Sequence, residues 1–313
     1  MRYILKRAGV FILTLFVISV LVFFAFQVIP GDPTARMLGT QATPEKVLAL
    51  QEELGLNNPG IVRYFNWLKG FVTGDFGISY SYNMPVSELI SGKLLITAAL
   101  SFMAFCIVLI ISFPIGILLA RFAHSIPDRI FMVFNQIIMS VPPFFIGILF
   151  TYAFGLVLQL FTPGDFINHS VDRAGFWGYL FFPALAIALP KSAMVIKLLR
   201  SSMVREMSED YVRTAYSRGN SRWRVLRTHV LRNAIIPVVT FLAVTLVDII
   251  AGSIIIEQVF AIPGIGRLLL SSIIGRDIPV VQTIIMIIAI VVITVNYLAD
   301  LSYKYIDPRI RFR

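Results

Sequence analysis

The sequence predicts an all-α integral membrane protein with six transmembrane helices and both termini in the cytoplasm. Hydrophobic residues make up 58% of the 313-residue chain and charged residues only 14%, whereas soluble domains carry about 25% charged residues. The apolar residues are gathered into runs close to the ~20 residues that cross a bilayer. The basic residues lie between alternate runs, as expected for a protein with one cationic side.

Six runs are candidate spans within a single transmembrane domain over residues 1–313: residues 9–29, 96–120, 130–160, 178–199, 235–256 and 280–299. The first is longer than a signal-peptide core and no A-x-A site follows, so we expect an uncleaved helix. The third is too long for one straight span and contains Pro142-Pro143, which predicts a kink or tilt. The fourth is interrupted by two prolines and two lysines.

The charge of the connections predicts the orientation. The amino end, the 121–129 link, the 200–233 link and the carboxyl tail are basic, whereas residues 161–177 and 257–279 are near neutral. In residues 30–95 the acids slightly outnumber the bases. The positive-inside rule therefore places both ends and the 200–234 segment in the cytoplasm.

The 30–95 segment is too long for a bare loop and predicts a small extracytoplasmic lobe after the first helix. TPEKVLALQEELGL is typical of a short helix with Thr43 as cap, Pro44 in first position and Gly55 beyond its end. IVRYFNWLKGFV is a second, amphipathic element.

Several function classes find no support in the residues. The net charge of +10 favours neither nucleic acid nor a soluble basic domain, because the basic residues flank apolar runs. His124, His169 and His229 are far apart, so no metal-ligand spacing is present. The sequence lacks a G-x-x-x-x-G-K-[ST] phosphate loop. We therefore expect no catalytic residue, no metal site and no cofactor bound by this chain.

Residues 211–233 form a basic stretch between two apolar walls, with arginines at 213, 218, 222, 224, 227 and 232 and no acid. The pattern predicts two short helices. Ser208 would cap the first, Gly219-Asn220 would end it, and Ser221 would cap the second. Two interpretations stay open: an interfacial helix pair lying on acidic lipid headgroups, or a knob that docks into a groove of another protein.

TAYSRG, residues 214–219, resembles the cytoplasmic signature of permease subunits of ABC importers, in which Glu-Ala-Ala is followed by three residues and Gly. Arg213 stands at the Glu position and Thr214 at the first Ala, whereas Ala215 and Gly219 match. The downstream Leu-Pro of the signature reads Leu231-Arg232 here.

Further segments resemble the dipeptide, oligopeptide and nickel permease branch, and most closely its first, B-type peptide subunit. They run in family order along the whole chain and are IPGDP (29–33), GDFGIS (74–79), LLRSSM (198–203), DYVRTAYSRG (210–219), HVLRNAIIPV (229–238), FAIPGIGRLL (260–269), RDIPVVQ (276–282) and DPRIR (307–311). The chain is identified by this resemblance as a member of that branch.

The resemblance implies a type I importer permease fold and a multi-pass location in a prokaryotic cytoplasmic membrane. It also implies a second homologous permease subunit, two ABC ATPase subunits that hold ATP and Mg, and an extracytoplasmic solute-binding protein. The basic stretch becomes the ATPase-coupling element, with candidate residues Arg213, Thr214, Ala215, Tyr216 and Gly219.

Ionisable groups within spans are functional candidates. Asp248 lies in the fifth run with Thr245 one turn earlier, and Lys191 lies in the fourth. They predict either a substrate path or an Asp–Lys pair inside the bundle. On the outer side, Glu257, Arg267, Arg276 and Asp277 are candidates for a gate or a docking surface for the binding protein, and a plain solvated loop stays open as an alternative.

The function predicted is import of di- or oligopeptides, with nickel or metal-chelate import by the same architecture as the close alternative. An intramembrane enzyme would need a nucleophile with a base, or paired aspartates, at one depth, and Asp248 has no obvious second carboxylate. A secondary transporter often shows inverted repeats, and none is evident in the sequence.

Overall fold

The structure, a computed structural model, describes residues 2–27, 34, 38, 43–53 and 55–306. The IPGDP and DPRIR segments therefore lie outside the described residues, as does the end of the first predicted run. The described helices are α1 (Arg2–Gln27), α2 (Pro44–Glu53), α3 (Gly60–Thr73), α4 (Val86–Ile90), α5 (Lys93–Arg121), α6 (Ile126–Ser140), α7 (Pro143–Phe150), α8 (Arg173–Glu206), α9 (Asp210–Ser217), α10 (Arg222–Val225), α11 (Leu231–Val259), α12 (Ile265–Ile274) and α13 (Ile278–Ile306).

Five helical stretches among the described residues are long and apolar enough to cross a membrane: Arg7–Gln27, Val86–Arg121, Arg173–Glu206, Arg222–Val259 and Ile278–Ala299. A sixth span results if α6 and α7 count as one, although they are bent by 95°. The break falls at Pro142 and Pro143, where proline lacks an N–H and its ring excludes the preceding helical carbonyl. A π-helical segment, Thr151–Val157, continues α7.

The structure divides into two compact units. The first comprises Met1–Ile96 and Gly264–Tyr297. In it, α3, which belongs to the segment expected to form the extracytoplasmic lobe, packs on α1. Ser19 Oγ and Tyr64 Oη are 2.8 Å apart, and the Phe23 ring lies 5.5 Å from the rings of both Tyr64 and Trp67. This aromatic cluster ties the lobe to the first span.

The second unit comprises Thr97–Pro263 and Leu298–Arg313 and is organised around α8. This helix contacts α6, α7 and α11, and it runs unbroken through Pro183 and Pro190, which are both buried. A Cβ at Gly116 of α5 would lie 2.9 Å from Leu199 Cδ2. Glycine is therefore needed for the close approach of α5 to α8, as is common between helices in membranes.

Candidate functional site

The beginning of the cytoplasmic segment departs from the predicted capping. The Ser208 hydroxyl donates to the Arg205 carbonyl at 2.6 Å, so it belongs to the end of α8. Helix α9 has Glu209 as its N-cap residue, without a side-chain hydrogen bond. The predicted cap at Ser208 is therefore wrong, because its hydroxyl is already used by the preceding helix. Asp210 lies in the first turn of α9, where the helix dipole favours a carboxylate.

Helix α9 has a buried face and an exposed face. Val212 and Ala215 are 1% and 6% exposed, whereas Arg213, Thr214 and Tyr216 are exposed. Ala215 therefore packs against the rest of the protein on the buried face of α9. The side chains of Arg213, Thr214 and Tyr216 are accessible to a partner.

Tyr211 fastens α9 to the end of α8. Its hydroxyl donates to Glu206 Oε2 at 2.8 Å. Burial raises the pKa of the Tyr211 phenol, so the hydroxyl stays a neutral donor at physiological pH.

The turn after α9 depends on Gly219. Its φ is +78°, and its N–H donates to the Tyr216 carbonyl at 2.9 Å. Asn220 Nδ2 donates to the Ala215 carbonyl at 3.0 Å, and Ser221 Oγ accepts from the Arg224 N–H at 3.4 Å. Gly219 and Ser221 thus have the stop and cap positions that the sequence predicts.

The second predicted short helix is not separate from the fifth span. Helix α10 continues through a π-helical segment, Leu226–Val230, into α11, and the whole stretch Arg222–Val259 forms one apolar helix. The expectation that the span begins near residue 235 is corrected, because the helix runs on from Arg222 through Pro237 to Val259. The Gly219 turn therefore joins directly to a membrane-spanning helix.

A buried ion pair holds the 121–129 link against α8. Arg200 Nε donates to Asp128 Oδ1 at 2.6 Å and its Nη2 to Oδ2 at 2.5 Å. Asp128 is 1% exposed and also accepts the His124 N–H at 2.9 Å. This pair is not among the residues predicted from the sequence, although the single acid of the basic 121–129 link is a signal for it.

The two ionisable candidates at membrane depth meet each other. Lys191 Nζ donates to Asp248 Oδ2 at 2.7 Å, with side chains 18% and 49% exposed. The two side chains therefore form an ion pair whose carboxylate stays accessible from outside the chain. Thr245 does not share this surface, since it is 1% exposed and its hydroxyl donates to the Phe241 carbonyl at 2.8 Å. Its assignment as a path residue is corrected.

A second polar contact lies between α6 and α8. Lys197 Nζ donates to Gln136 Oε1 at 3.0 Å, and both side chains are exposed. They border a groove of about 490 Å³ lined by Met132, Val133, Gln136, Ile137, Ser140 and Lys197. Polar residues inside apolar runs are a signal for Lys197 and Gln136 as much as for Asp248 and Lys191, but only the latter two are predicted from the sequence.

The outer-side candidates divide into two kinds. Asp277, fully buried, accepts Ser79 Oγ at 2.5 Å, the Tyr80 N–H at 3.0 Å and the Ser81 N–H at 3.1 Å. Separately, Glu257 in the second unit is fully buried and accepts Thr97 Oγ1 at 2.5 Å. The two acids are buried and are not available to a docking partner, which corrects that part of the prediction; a gate role for them stays a prediction. Arg267 and Arg276 are exposed.

The fold and this arrangement define a polytopic membrane protein with accessible charges at membrane depth. Between two of its spans lies a short helix followed by a turn, α9 and Gly219, which we call the hook. The chain belongs to the family described as the binding-protein-dependent transport system inner membrane component, matched over residues 112–312. The N-terminal component of the same system is matched over residues 1–101. The chain is therefore an ABC transporter permease subunit and not an enzyme, and its family works with an ATPase and a binding protein.

Relatives match essentially the whole chain. The probable peptide ABC transporter permease protein y4tP of Sinorhizobium fredii is 34% identical over 310 residues, with 99% of each chain covered. A putative peptide transport system permease protein of Brucella abortus is 35% identical, covering 99% of this chain and 98% of the relative. The glutathione transport system permease protein GsiC of Escherichia coli is 34% identical with 100% of each covered.

A solved structure shows the same fold. A chain of the MetNI methionine ABC transporter, in an inward-facing conformation, superposes with a TM-score of 0.58 and 17% identity, covering 70% of this chain and 96% of that chain. The type I importer permease fold expected from the resemblance is thereby confirmed.

Proposed function

We propose that this chain is the permease subunit through which an ATP-driven importer moves di- and oligopeptides delivered by a solute-binding protein. Relatives of the full chain are named for peptide transport and for transport of glutathione, which is itself a small peptide. Nickel or metal-chelate import is not favoured, because these relatives are named for peptides.

The observation that carries the proposal is the accessible Lys191–Asp248 pair. A charged side chain facing hydrocarbon is costly, yet Asp248 is 49% exposed in an apolar helix. Its surface therefore faces water or another protein. A peptide carries a cationic and an anionic terminus, and a neighbouring cation and carboxylate complement both ends.

The path is completed by a second, related permease subunit. The accessible Lys197–Gln136 contact is a further polar surface that lipid would not solvate. A homologous partner that covers these surfaces would enclose a water-filled route between the two chains. Both chains would lie in the cytoplasmic membrane of a prokaryotic cell, with their termini in the cytoplasm.

The α9 hook docks into a cleft of an ATPase subunit. Arg213, Thr214 and Tyr216 supply its accessible side chains, Ala215 supports the helix, and Gly219 sets the turn. The Arg213–Asp210 contact is 3.5 Å long between side chains 80% and 96% exposed, so it contributes little stability. Arg213 can therefore exchange this contact for an acid of the ATPase. ATP and Mg are held by two such partner subunits.

Uptake tests the substrate directly. Cells with and without the chain would be given a labelled dipeptide, a labelled longer peptide or labelled nickel, each with and without excess unlabelled peptide. We expect peptide uptake that depends on the chain and is competed by unlabelled peptide. Chain-dependent nickel uptake without peptide uptake would overturn the substrate and keep the permease assignment.

A further inference from the structure

Three arginines and one tryptophan lie together where the second span ends and the helix of the fifth span begins. The Arg121 and Arg227 guanidinium carbons lie 5.4 Å and 5.2 Å from the Trp223 ring centroid. Arg222 Nη2 donates to the Arg121 carbonyl at 2.7 Å, which brings α10 to the last residue of α5. We call Arg121, Arg222, Arg227 and Trp223 the Arg–Trp cluster.

The charge of the Arg–Trp cluster is not balanced within the described part of the chain. None of the three guanidinium groups has a carboxylate partner there. The one acid of the nearby link, Asp128, is buried and accepts hydrogen bonds from two guanidinium nitrogens of Arg200, Nε and Nη2. Positive charges that lack a counter-ion favour an added anion, and this holds for the cluster.

The surroundings of the cluster indicate which anion. Arg121 is the last residue of a membrane-spanning helix, and Arg222 is the first residue of another. The residues that follow Arg121 expose apolar side chains, Phe122 at 49% and Ile126 at 73%. Tryptophan, arginine and exposed apolar side chains together are typical of the membrane–water interface, and basic pockets between spans on the cytoplasmic side bind anionic headgroups.

We propose that the Arg–Trp cluster binds the phosphate headgroup of an anionic phospholipid in the cytoplasmic leaflet. Guanidinium groups match phosphate geometry through paired N–H donors, and Trp223 orients Arg121 and Arg227 by cation–π contacts. The lipid would fix the base of the hook to the membrane surface, while the exposed face of α9 stays available to the ATPase. The site requires only that the two spans end at the membrane surface, so it does not depend on the transported substrate.

The test uses the assembled transporter, delipidated in detergent and titrated with phosphatidylglycerol or phosphatidylcholine. Native mass spectrometry would count the lipid molecules retained per transporter. The rise in unfolding temperature as lipid is added would give the lipid concentration at half-saturation. We expect saturable binding of phosphatidylglycerol only. The R121Q/R227Q variant should bind it roughly thirty-fold more weakly, from the usual contribution of each arginine near an anionic surface. R218Q, an exposed arginine of the same segment outside the cluster, is the matched control and should bind like the wild type.

Two further arms distinguish the alternatives. The R121K/R227K variant keeps the charge, so it should fold and retain part of the binding even if R121Q/R227Q proves unstable. Inorganic phosphate should not displace the lipid, and equal displacement would mean a site for soluble phosphate. If R121Q/R227Q releases the ATPase subunit but still binds phosphatidylglycerol normally, the arginines serve the protein partner and the lipid site is wrong. Equal loss of lipid binding in R218Q would likewise overturn the site, since general charge would then explain the affinity.

Discussion

Arg200 forms a bidentate ion pair with Asp128, in which Nε donates to Oδ1 at 2.6 Å and Nη2 donates to Oδ2 at 2.5 Å. The two residues are 72 positions apart in the chain, and the carboxylate is almost completely buried. Because Asp128 also accepts the backbone N–H of His124, the pair orders the short link between α5 and α6. The link is thus held against α8, the helix that leads into α9.

Replacing Arg200 by Met should strongly destabilise the transporter, because it leaves a buried carboxylate without its counter-ion. Such a loss typically costs about 3–5 kcal/mol. Arg205→Met, an exposed arginine at the end of the same helix, is the matched control and should change stability by about 0.5 kcal/mol or less. Thermal unfolding of the purified proteins measures both. Equal midpoints for the two variants would show that the pair adds nothing to stability.

Gly219→Val should uncouple transport without preventing membrane insertion. No heavy atom lies within 4 Å of an added Cβ, but φ is +78°, so the cost is backbone strain of about 1–2 kcal/mol. Asn tolerates this conformation better than a β-branched residue, so Gly219→Asn should keep most activity. Uptake and substrate-stimulated ATP hydrolysis, each normalised to the amount of chain in the membrane, give the measure. Normal uptake by Gly219→Val would remove the turn from the coupling mechanism.

The Lys191–Asp248 pair can be tested by charge exchange. Lys191→Met and Asp248→Asn should each lower peptide uptake by roughly tenfold, equivalent to ~1.4 kcal/mol in the limiting barrier. The exchanged variant, with Asp at 191 and Lys at 248, should restore the amount of folded protein, because the pair can form again. We expect it not to restore uptake, because the two charges of the proposed substrate path are then reversed. Full recovery of uptake would make the pair structural and remove it from the path.

The loop held by Asp277 offers a matched pair of serine variants. Ser79 donates its hydroxyl to the carboxylate, whereas Ser81 donates only its backbone N–H. Ser79→Ala should therefore destabilise the loop locally, by about 1.5–3 kcal/mol for a hydrogen bond to a charged group, and Ser81→Ala should leave this bond intact. Hydrogen exchange of the amides of Tyr80 and Ser81 would report the opening. Faster exchange in Ser81→Ala than in Ser79→Ala would contradict this account.

Much of the local structure of the proposed coupling segment could be predicted, because the signals for it are local. Gly219 and Ser221 mark a helix stop and a cap within three residues, and backbone conformation acts over that range. The predicted cap at Ser208 is wrong because this residue lies between two helix ends. Its hydroxyl could bond to the end of α8 or to the start of α9, and the sequence does not show which bond forms. The prediction that Thr245 lies on the substrate path is wrong for another reason. Helical spacing places Thr245 one turn from Asp248 but does not show which face of the helix packs against another helix.

The sequence by itself determined the class of protein, the apolar spans and the side that carries the positive charge. These follow from properties summed along the chain, namely the length and hydropathy that a bilayer requires. Only the tertiary structure decided that Lys191 meets Asp248, that Arg200 takes Asp128, and that Asp277 lies buried beneath Ser79. Each of these contacts joins residues distant in the chain, and in an apolar environment a charge is stable only where folding brings it a partner.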